Sequence, residues 1–226
     1  MISPPLAGMV LAAGLGARLR PVTETIPKPL VEINGRTLLD HAIDRLALVG
    51  VERVVVNVHY KARMVAAQLS RRDTPRIEIS EEPELLDTGG GVKRALPLLD
   101  DAFFVVNSDV FWLNSKDDAL LRLAYEFDPD HMDAILLLQR TVTAVGYEGS
   151  GDYFLDASGK PRHRGEHEVA PYLFAGIQLL HRRLFDHAER AGRLGAIVHD
   201  GEWYHIGTPE GLAATRERLS SHRIER

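Results

Sequence analysis

The sequence predicts an α/β fold, a mostly parallel central sheet flanked by helices, from three observations. Gly8 to Ala12, Val51 to Val58 and Phe103 to Val106 are short apolar runs with little or no polar face, the pattern of strands buried on both sides. Between them apolar residues recur at helical spacing, as at Leu39, Ala42, Ile43, Leu46 and Ala47. Strand and helix alternate along the first half, an order that requires right-handed crossovers and parallel pairing. A chain of 226 residues buries roughly 70% of its unfolded surface, enough for a full core. One domain, 1–226, with halves 1–130 and 131–226, is the expected organisation.

The first strand ends at Ala13, where small residues take over. Gly14 and Gly16 let the backbone turn tightly and bring its N–H groups against a bulky anion, usually phosphate. Arg18 and Lys28 add fixed positive charge beside that turn. Pro27 and Pro29 bracket Lys28, so its ammonium is expected on a stiff, extended segment. Leu30 to Ile33 predicts a short strand, Asn34-Gly35 a turn, and Thr37 the N-cap of a helix that Gly50 ends. Val51 to Val58 is the second strand, Ala62 to Leu69 a helix, and Ile77 to Ser80 a further strand.

Gly89, Gly90 and Gly91 are consecutive. In a helix interior each would cost about 1 kcal/mol relative to alanine. They are therefore expected at the start of a helix running to Leu96, where free N–H groups and the helix dipole face a ligand; a flexible loop is the alternative. Phe103 to Val106 runs into Asn107-Ser108-Asp109, placing the Asp109 carboxylate beyond the C-terminal end of a strand, where open α/β sheets bind ligands. The plainer reading of Asp109 is a turn or capping residue. Lys116 to Phe127 reads as an amphipathic packing helix, and Ala134 to Leu138 opens the second half. Gly146 to Tyr153 is a glycine-spaced loop whose Glu148 and Asp152 are candidates for hydroxyl contacts. Asp156 to Gly159 is a hairpin turn, and Tyr172 to Gln178 a strand. The Leu212 to Leu219 helix packs internally or across a dimer, so monomer and homodimer both stay open.

Composition narrows the classes. Net charge is −5, with no run of like charges, against the basic stripe of a nucleic-acid or anionic-membrane surface. No cysteine is present, which excludes disulfides, cysteine nucleophiles and thiolate metal sites. No apolar stretch approaches ~20 residues and the N-terminus lacks a signal-peptide pattern, so a soluble cytoplasmic protein is expected. The glycine loop is neither G-x4-G-K-[ST] nor G-x-G-x-x-G, since Leu19 takes the third glycine position. His163 and His167 have helical metal-pair spacing, but Pro161 and Gly165 oppose a helix and favour a solvated hairpin over zinc.

The string L-A-A-G-x-G-x-R-L-x-P, Leu11 to Pro21, followed by P-K-P-L, Pro27 to Leu30, resembles the signature of the sugar-phosphate nucleotidyltransferases. These enzymes make nucleotide sugars from a nucleoside triphosphate and a sugar 1-phosphate. L-x-T-G-G-G-[IV], Leu86 to Val92, matches the stretch where the family reads the base; its wording is similar to that of N-acetylmuramate-1-phosphate uridylyltransferases and small mannose-1-phosphate guanylyltransferases. The resemblance implies a Rossmann-like nucleotide-diphospho-sugar transferase fold, with a nucleotide-binding half (1–130) and a small sugar-binding β region (131–226). It implies catalytic roles for Arg18, Lys28 and Asp109, and nucleotide contacts from Leu11, Ala12, Ala13, Gly14, Gly16, Glu84, Asp87, Thr88, Gly89, Gly90 and Asn107. On the sugar side, Tyr172 and Gly176 match the family's [YF]-x-x-x-G-I stretch and join Glu148 and Asp152.

Two features depart from that pattern. The family's W-x-D-[VI]-G-T, whose aspartate joins the first on magnesium, is here Trp203-Tyr204-His205-Ile206-Gly207-Thr208. Magnesium on Asp109 is the expected cofactor, and the imidazole of His205 brings manganese within range, either as a ligand or beside a phosphate. The segment after Phe185 is also shorter than the family's loop and helix there. Three functions follow. The first is uridylyl transfer from UTP to N-acetylmuramate 1-phosphate, the chemistry of cell-wall sugar recycling. The second keeps the reaction with other substrates, such as GTP with mannose or heptose 1-phosphate, or CTP with phosphocholine. The third is a non-catalytic nucleotide-sugar binding protein.

Overall fold

Strand β1 (Ala7–Leu11) is an all-apolar segment at the middle of the sheet, and the computed structural model builds the chain outward from it, describing residues 4–186 and 194–221. After the glycine loop come a single helical turn, α1 (Val22–Thr25), and a hairpin of β2 (Glu32–Ile33) and β3 (Arg36–Thr37). That hairpin turns at Asn34 and Gly35, both with positive φ. Helix α2 (Leu38–Leu48) starts where Thr37 Oγ1 accepts from the Asp40 N–H at 3.0 Å, the cap expected there, and ends at Gly50 with φ +91°. Then follow β4 (Arg53–Val58), α3 (Ala62–Leu69), β5 (Arg76–Glu81), α4 (Thr88–Ala95) and β6 (Ala102–Asn107).

Beyond Asp109 the chain forms β7 (Val110–Leu113), α5 (Ala119–Glu126), β8 (Ala134–Arg140), β9 (Tyr153–Leu155), β10 (Pro161–His163) and β11 (Tyr172–His181). It closes with β12 (Leu194–Val198), β13 (Glu202–His205) and α6 (Pro209–Ser221). Helix α5 begins three residues later than the apolar pattern suggests because Asp118 Oδ1 caps it, accepting from Leu120 N–H at 2.9 Å.

The nine-stranded sheet has the order β10-β9-β11-β6-β1-β4-β5, with β8 also on β11 and β12 on β8. Strands β6, β1, β4 and β5 are parallel, whereas β11 runs antiparallel between β6 and β8. The sheet therefore runs through both halves of the chain. Its strands alternate between two buried faces, as a period of two requires. Val54, Val56, Phe104 and Val106 pack with Leu39, Ile43 and Leu46 of α2 and with α5. Met9, Val55, Phe103 and Val105 pack under Val92 and Ala95 of α4. A third cluster joins Leu19, Ile33 and Leu38 to Phe111, Tyr204, Ile206 and Leu212.

Three outcomes differ from the sequence reading or refine it. Lys28 opens a 3-10 turn, Lys28–Leu30, after an extended Pro27; the prolines stiffen the segment but Pro29 fits the second position of a turn as well as an extended chain. The antiparallel ribbon of β7 and β13 was not foreseen. His163 lies in the β9–β10 hairpin, its Nδ1 2.8 Å from the Arg164 carbonyl oxygen, and no group of three metal-ligating side chains forms among the described residues. The shortened segment after Phe185 falls largely on residues 187–193, outside the described residues.

Candidate active site

The cleft grows out of the strand register. Leu11, the last residue of β1, stands opposite Asn57 of β4 on one side and Asn107 of β6 on the other, so three strand ends form one edge. Beyond it the loop turns at Gly16, with φ +64°. The Gly16 carbonyl accepts from Leu19 N–H at 2.9 Å and from Thr23 Oγ1 at 2.8 Å, which fixes the loop. A Cβ at Gly16 would lie 2.9 Å from Thr23 Cγ2 and 3.2 Å from Lys28 Cβ, so glycine is required by both backbone and space.

A cavity of about 440 Å³ opens above this edge, between the glycine loop and Leu85 to Thr88 at the start of α4. A second, of about 190 Å³, lies toward β11 and β13. Arg18, Asn107 and Asp109 line both, so the two cavities meet at these three residues.

At the junction Lys28 Nζ donates to Asp109 Oδ2 at 2.7 Å, and His205 Nε2 lies 3.8 Å from the same oxygen. The β7–β13 ribbon brings His205 there: it pairs with Val110, and Ile206 N–H donates to the Asp109 carbonyl at 3.0 Å. Its ring lies almost parallel to that of Trp203, 6.0 Å between centroids. Burial alone would raise the Asp109 pKa, but the Lys28 ammonium, its hydrogen bond and His205 together hold it below the usual carboxylate range. Burial lowers the His205 pKa against the pull of Asp109, with Lys28 and Arg18 adding to the lowering, so the imidazole is neutral at pH 7.

The second cavity is braced by its own loop. Asp152 Oδ2 accepts from Phe174 N–H at 2.8 Å, and Tyr147 Oη accepts from Gly151 N–H at 2.9 Å. Gly176, φ +75°, sits at the irregularity in β11 where a Cβ would come within 2.9 Å of Val110 Cγ1.

The structure gathers most of the sequence candidates. Leu11, Ala13, Gly14, Gly16, Asp87, Thr88 and Asn107 line the larger cavity with Arg18, Lys28 and Asp109. Asp152, Gly176 and His205 line the smaller one. Ala12 is buried behind the edge, and its N–H donates to Asn57 Oδ1. Glu84, Gly89 and Gly90 are not among the lining residues of either cavity, nor are the exposed Glu148 and the half-buried Tyr172. Sequence reasoning missed Asn57, Leu85 and Gly207 on the first side, and Tyr147, Phe174 and Trp203 on the second. Asn57 had a signal: it is the polar residue interrupting V-V-V-N-V.

The donor set suits a divalent cation. Asp109 Oδ2 and His205 Nε2 lie 3.8 Å apart, one oxygen and one nitrogen donor, and ions of this kind take remaining ligands from water and substrate phosphates. Lys28 already neutralises Asp109 in part, so affinity is expected to depend on an anionic substrate.

Comparison with known proteins fits this geometry. Residues 7–147 match the nucleotidyl transferase family. The chain is 38% identical to an N-acetylmuramate alpha-1-phosphate uridylyltransferase of Caulobacter vibrioides, covering 97% of this chain and 99% of that protein. It is 31% identical to the enzyme of that name from Neisseria meningitidis, covering 90% and 94%. In fold it is similar to the inositol-1-phosphate CTP transferase from T. maritima, at TM-score 0.78 and 18% identity, covering 98% of this chain and 97% of that one. A UDP-glucose pyrophosphorylase complexed with UDP-glucose superposes with TM-score 0.77 at 17% identity, covering 98% and 100%. With the signature loop, the paired cavities and full-length relatives in agreement, the chain belongs to the nucleotidyl transferase family.

Proposed function

We propose that this nucleotidyltransferase moves a uridylyl group from UTP to N-acetylmuramate 1-phosphate, releasing pyrophosphate. The observation that carries the reading is the meeting of two cavities at Asp109, with Lys28 and Arg18 at the same junction. Such a layout suits two polyanions brought end to end. The nucleoside triphosphate takes the larger cavity, its base toward Leu85 to Thr88 and its phosphates over Gly14, Gly16 and Arg18. The sugar takes the smaller one, between Tyr147, Asp152, Phe174 and Trp203. Uridine and N-acetylmuramate are supported by the names of the two relatives that match this chain along nearly its whole length.

A phosphate oxygen of the sugar 1-phosphate attacks the α-phosphorus in line. The new P–O bond forms as the α–β bridging bond breaks, and pyrophosphate carries off the electron pair. The nucleophile is already an anion at neutral pH, so no residue need remove a proton. What the chain supplies is alignment and fixed charge: Lys28 spans toward the α-phosphate, Arg18 holds the outgoing phosphates, and the loop amides donate to them. Asp109 and His205 would hold a magnesium or manganese ion, whose contribution is to neutralise phosphate charge. Readily available nucleoside triphosphate makes the cytoplasm the setting of this reading.

A second reading has its own support. The chain is 40% identical over 235 residues to a mannose-1-phosphate guanyltransferase of Aspergillus oryzae, although it spans 62% of that protein's length. Pyrophosphate release measured across four nucleoside triphosphates and a panel of sugar 1-phosphates separates the cases. UTP with N-acetylmuramate 1-phosphate should give the highest kcat/KM. Preference for GTP with mannose 1-phosphate would establish the second reading, and no release with any pair would leave a nucleotide-sugar binding protein.

A further inference from the structure

Asn57, in the floor of the larger cavity, and Glu82, beside it but outside the lining, are two buried polar residues, 4% and 1% exposed. Their side chains form one continuous bridge. Asn57 Oδ1 accepts from Ala12 N–H at 2.8 Å, where β1 gives way to the glycine loop. Asn57 Nδ2 donates to Glu82 Oε1 at 2.7 Å, and Glu82 Oε2 accepts from Leu86 N–H at 3.0 Å. The Ala12 donor fixes the orientation of the Asn57 amide, so the chain of bonds has a single sense. One end holds the loop on one rim of the cavity; the other holds Leu86, on the opposite rim beside Asp87 and Thr88.

The surroundings are built to keep the bridge in place. Glu82 N–H donates to the Val58 carbonyl at 2.9 Å, and His59 Nδ1 lies 2.8 Å from the Glu82 carbonyl oxygen. Helix α4 presses on it at Gly91, where a Cβ would stand 2.7 Å from Glu82 Oε1 and 2.9 Å from Asn57 Nδ2. The third glycine of the run thus leaves room for the bridge. Both Glu82 oxygens accept bonds from the protein, so the carboxylate is committed inward.

We infer that Asn57 and Glu82 are positioning residues that set the spacing between the phosphate-side and base-side rims, and so govern nucleotide affinity without touching the reacting atoms. The inference rests on the larger cavity being the nucleotide site. Deleting a buried bridging partner loosens one rim against the other. The two substrates should then respond differently, because the sugar-side cavity includes neither residue.

The test is steady-state kinetics on Asn57→Ala, Glu82→Gln and Gly91→Ala, with melting curves for each. Asn57→Ala should raise KM for the nucleoside triphosphate about tenfold, with KM for the sugar phosphate within about twofold of wild type. Glu82→Gln keeps one acceptor oxygen and should give a smaller rise in the same parameter. Gly91→Ala removes no bond and adds a good helix former, so it should fold while wedging the pair apart, again raising nucleotide KM alone. Nucleotide KM unchanged in a folded Asn57→Ala or Gly91→Ala protein would overturn the inference, as would equal rises in both KM values. Wild-type protein that binds no nucleotide would instead overturn the functional assignment beneath it.

Discussion

Replacing Lys28 by methionine removes one positive charge from the junction while keeping most of the stem that packs beside Gly16. Lys28 is 12% exposed, and its ammonium lies 2.7 Å from an Asp109 oxygen whose side chain is 23% exposed. Opposite unit charges at ~4 Å interact by about 4 kcal/mol at an effective dielectric near 20, and partial solvation reduces the net effect on folding. Breaking a fully buried pair costs about 3–5 kcal/mol; for this partly exposed pair roughly 1–2 kcal/mol is expected, a fall in Tm of roughly 2–8 °C. The catalytic effect is larger. Loss of one fixed charge facing the developing phosphate charge raises the barrier by about 2.7–4 kcal/mol, so kcat for pyrophosphate release should fall roughly 100- to 1000-fold. The assay is continuous pyrophosphate detection at saturating substrates, with circular dichroism to establish folding. A folded Lys28→Met protein with kcat within about threefold of wild type would refute the role given to the ammonium.

Three further outcomes follow from the same geometry. His205→Asp restores a second carboxylate and should retain or raise magnesium-dependent turnover while lowering the manganese-to-magnesium activity ratio; complete loss with both ions would show that the imidazole acts elsewhere. Gly16→Ala forces alanine to φ +64° against Thr23 and Lys28, which should destabilise by about 1–2 kcal/mol and raise nucleotide KM; an unchanged Tm would refute the strain argument. Asp40 is held below its ordinary value of 3.8: burial raises its pKa, but bonds from Thr37, Arg72 and Gln68 outweigh it. A depressed folded pKa stabilises fully above the unfolded value and loses that contribution as pH falls through the folded one. The urea midpoint of wild type should therefore exceed that of Asp40→Asn at neutral pH and converge on it below about pH 4; a constant gap down to pH 3 would contradict this.

Much of the fold was legible because its signals are local. The V-V-V run of β4, the i, i+3, i+4 spacing of α2 and the Thr37 cap each depend on a few neighbouring residues. The β7–β13 ribbon was hidden because V-F-W-L and E-W-Y-H are short, far apart in sequence and without a clear period; pairing between them is a tertiary event. The site divided along the same line. Gly14 and Gly16 were legible through backbone need and Asp109 through its strand-end position, whereas Arg18 and Lys28 stood out as charge beside the turn and owed their expected roles to the family resemblance. In E-E-P-E the sequence drew attention to Glu84, whereas the structure buries Glu82, because only the distant Asn57 tells the carboxylates apart. His205 beside Asp109 rested on a motif resemblance, and its physical cause, the ribbon register, becomes visible only in three dimensions.

The central claim is that Asp109 marks the point where nucleotide and sugar phosphates meet. A crystal structure with manganese and a non-hydrolysable UTP analogue, using the anomalous signal of the metal, tests it most directly. The account requires manganese against Asp109 Oδ2, phosphates over the Gly14 to Arg18 loop and uracil beside Leu85 to Thr88. Nucleotide bound away from that loop, or manganese bound with no contact to Asp109, would contradict it.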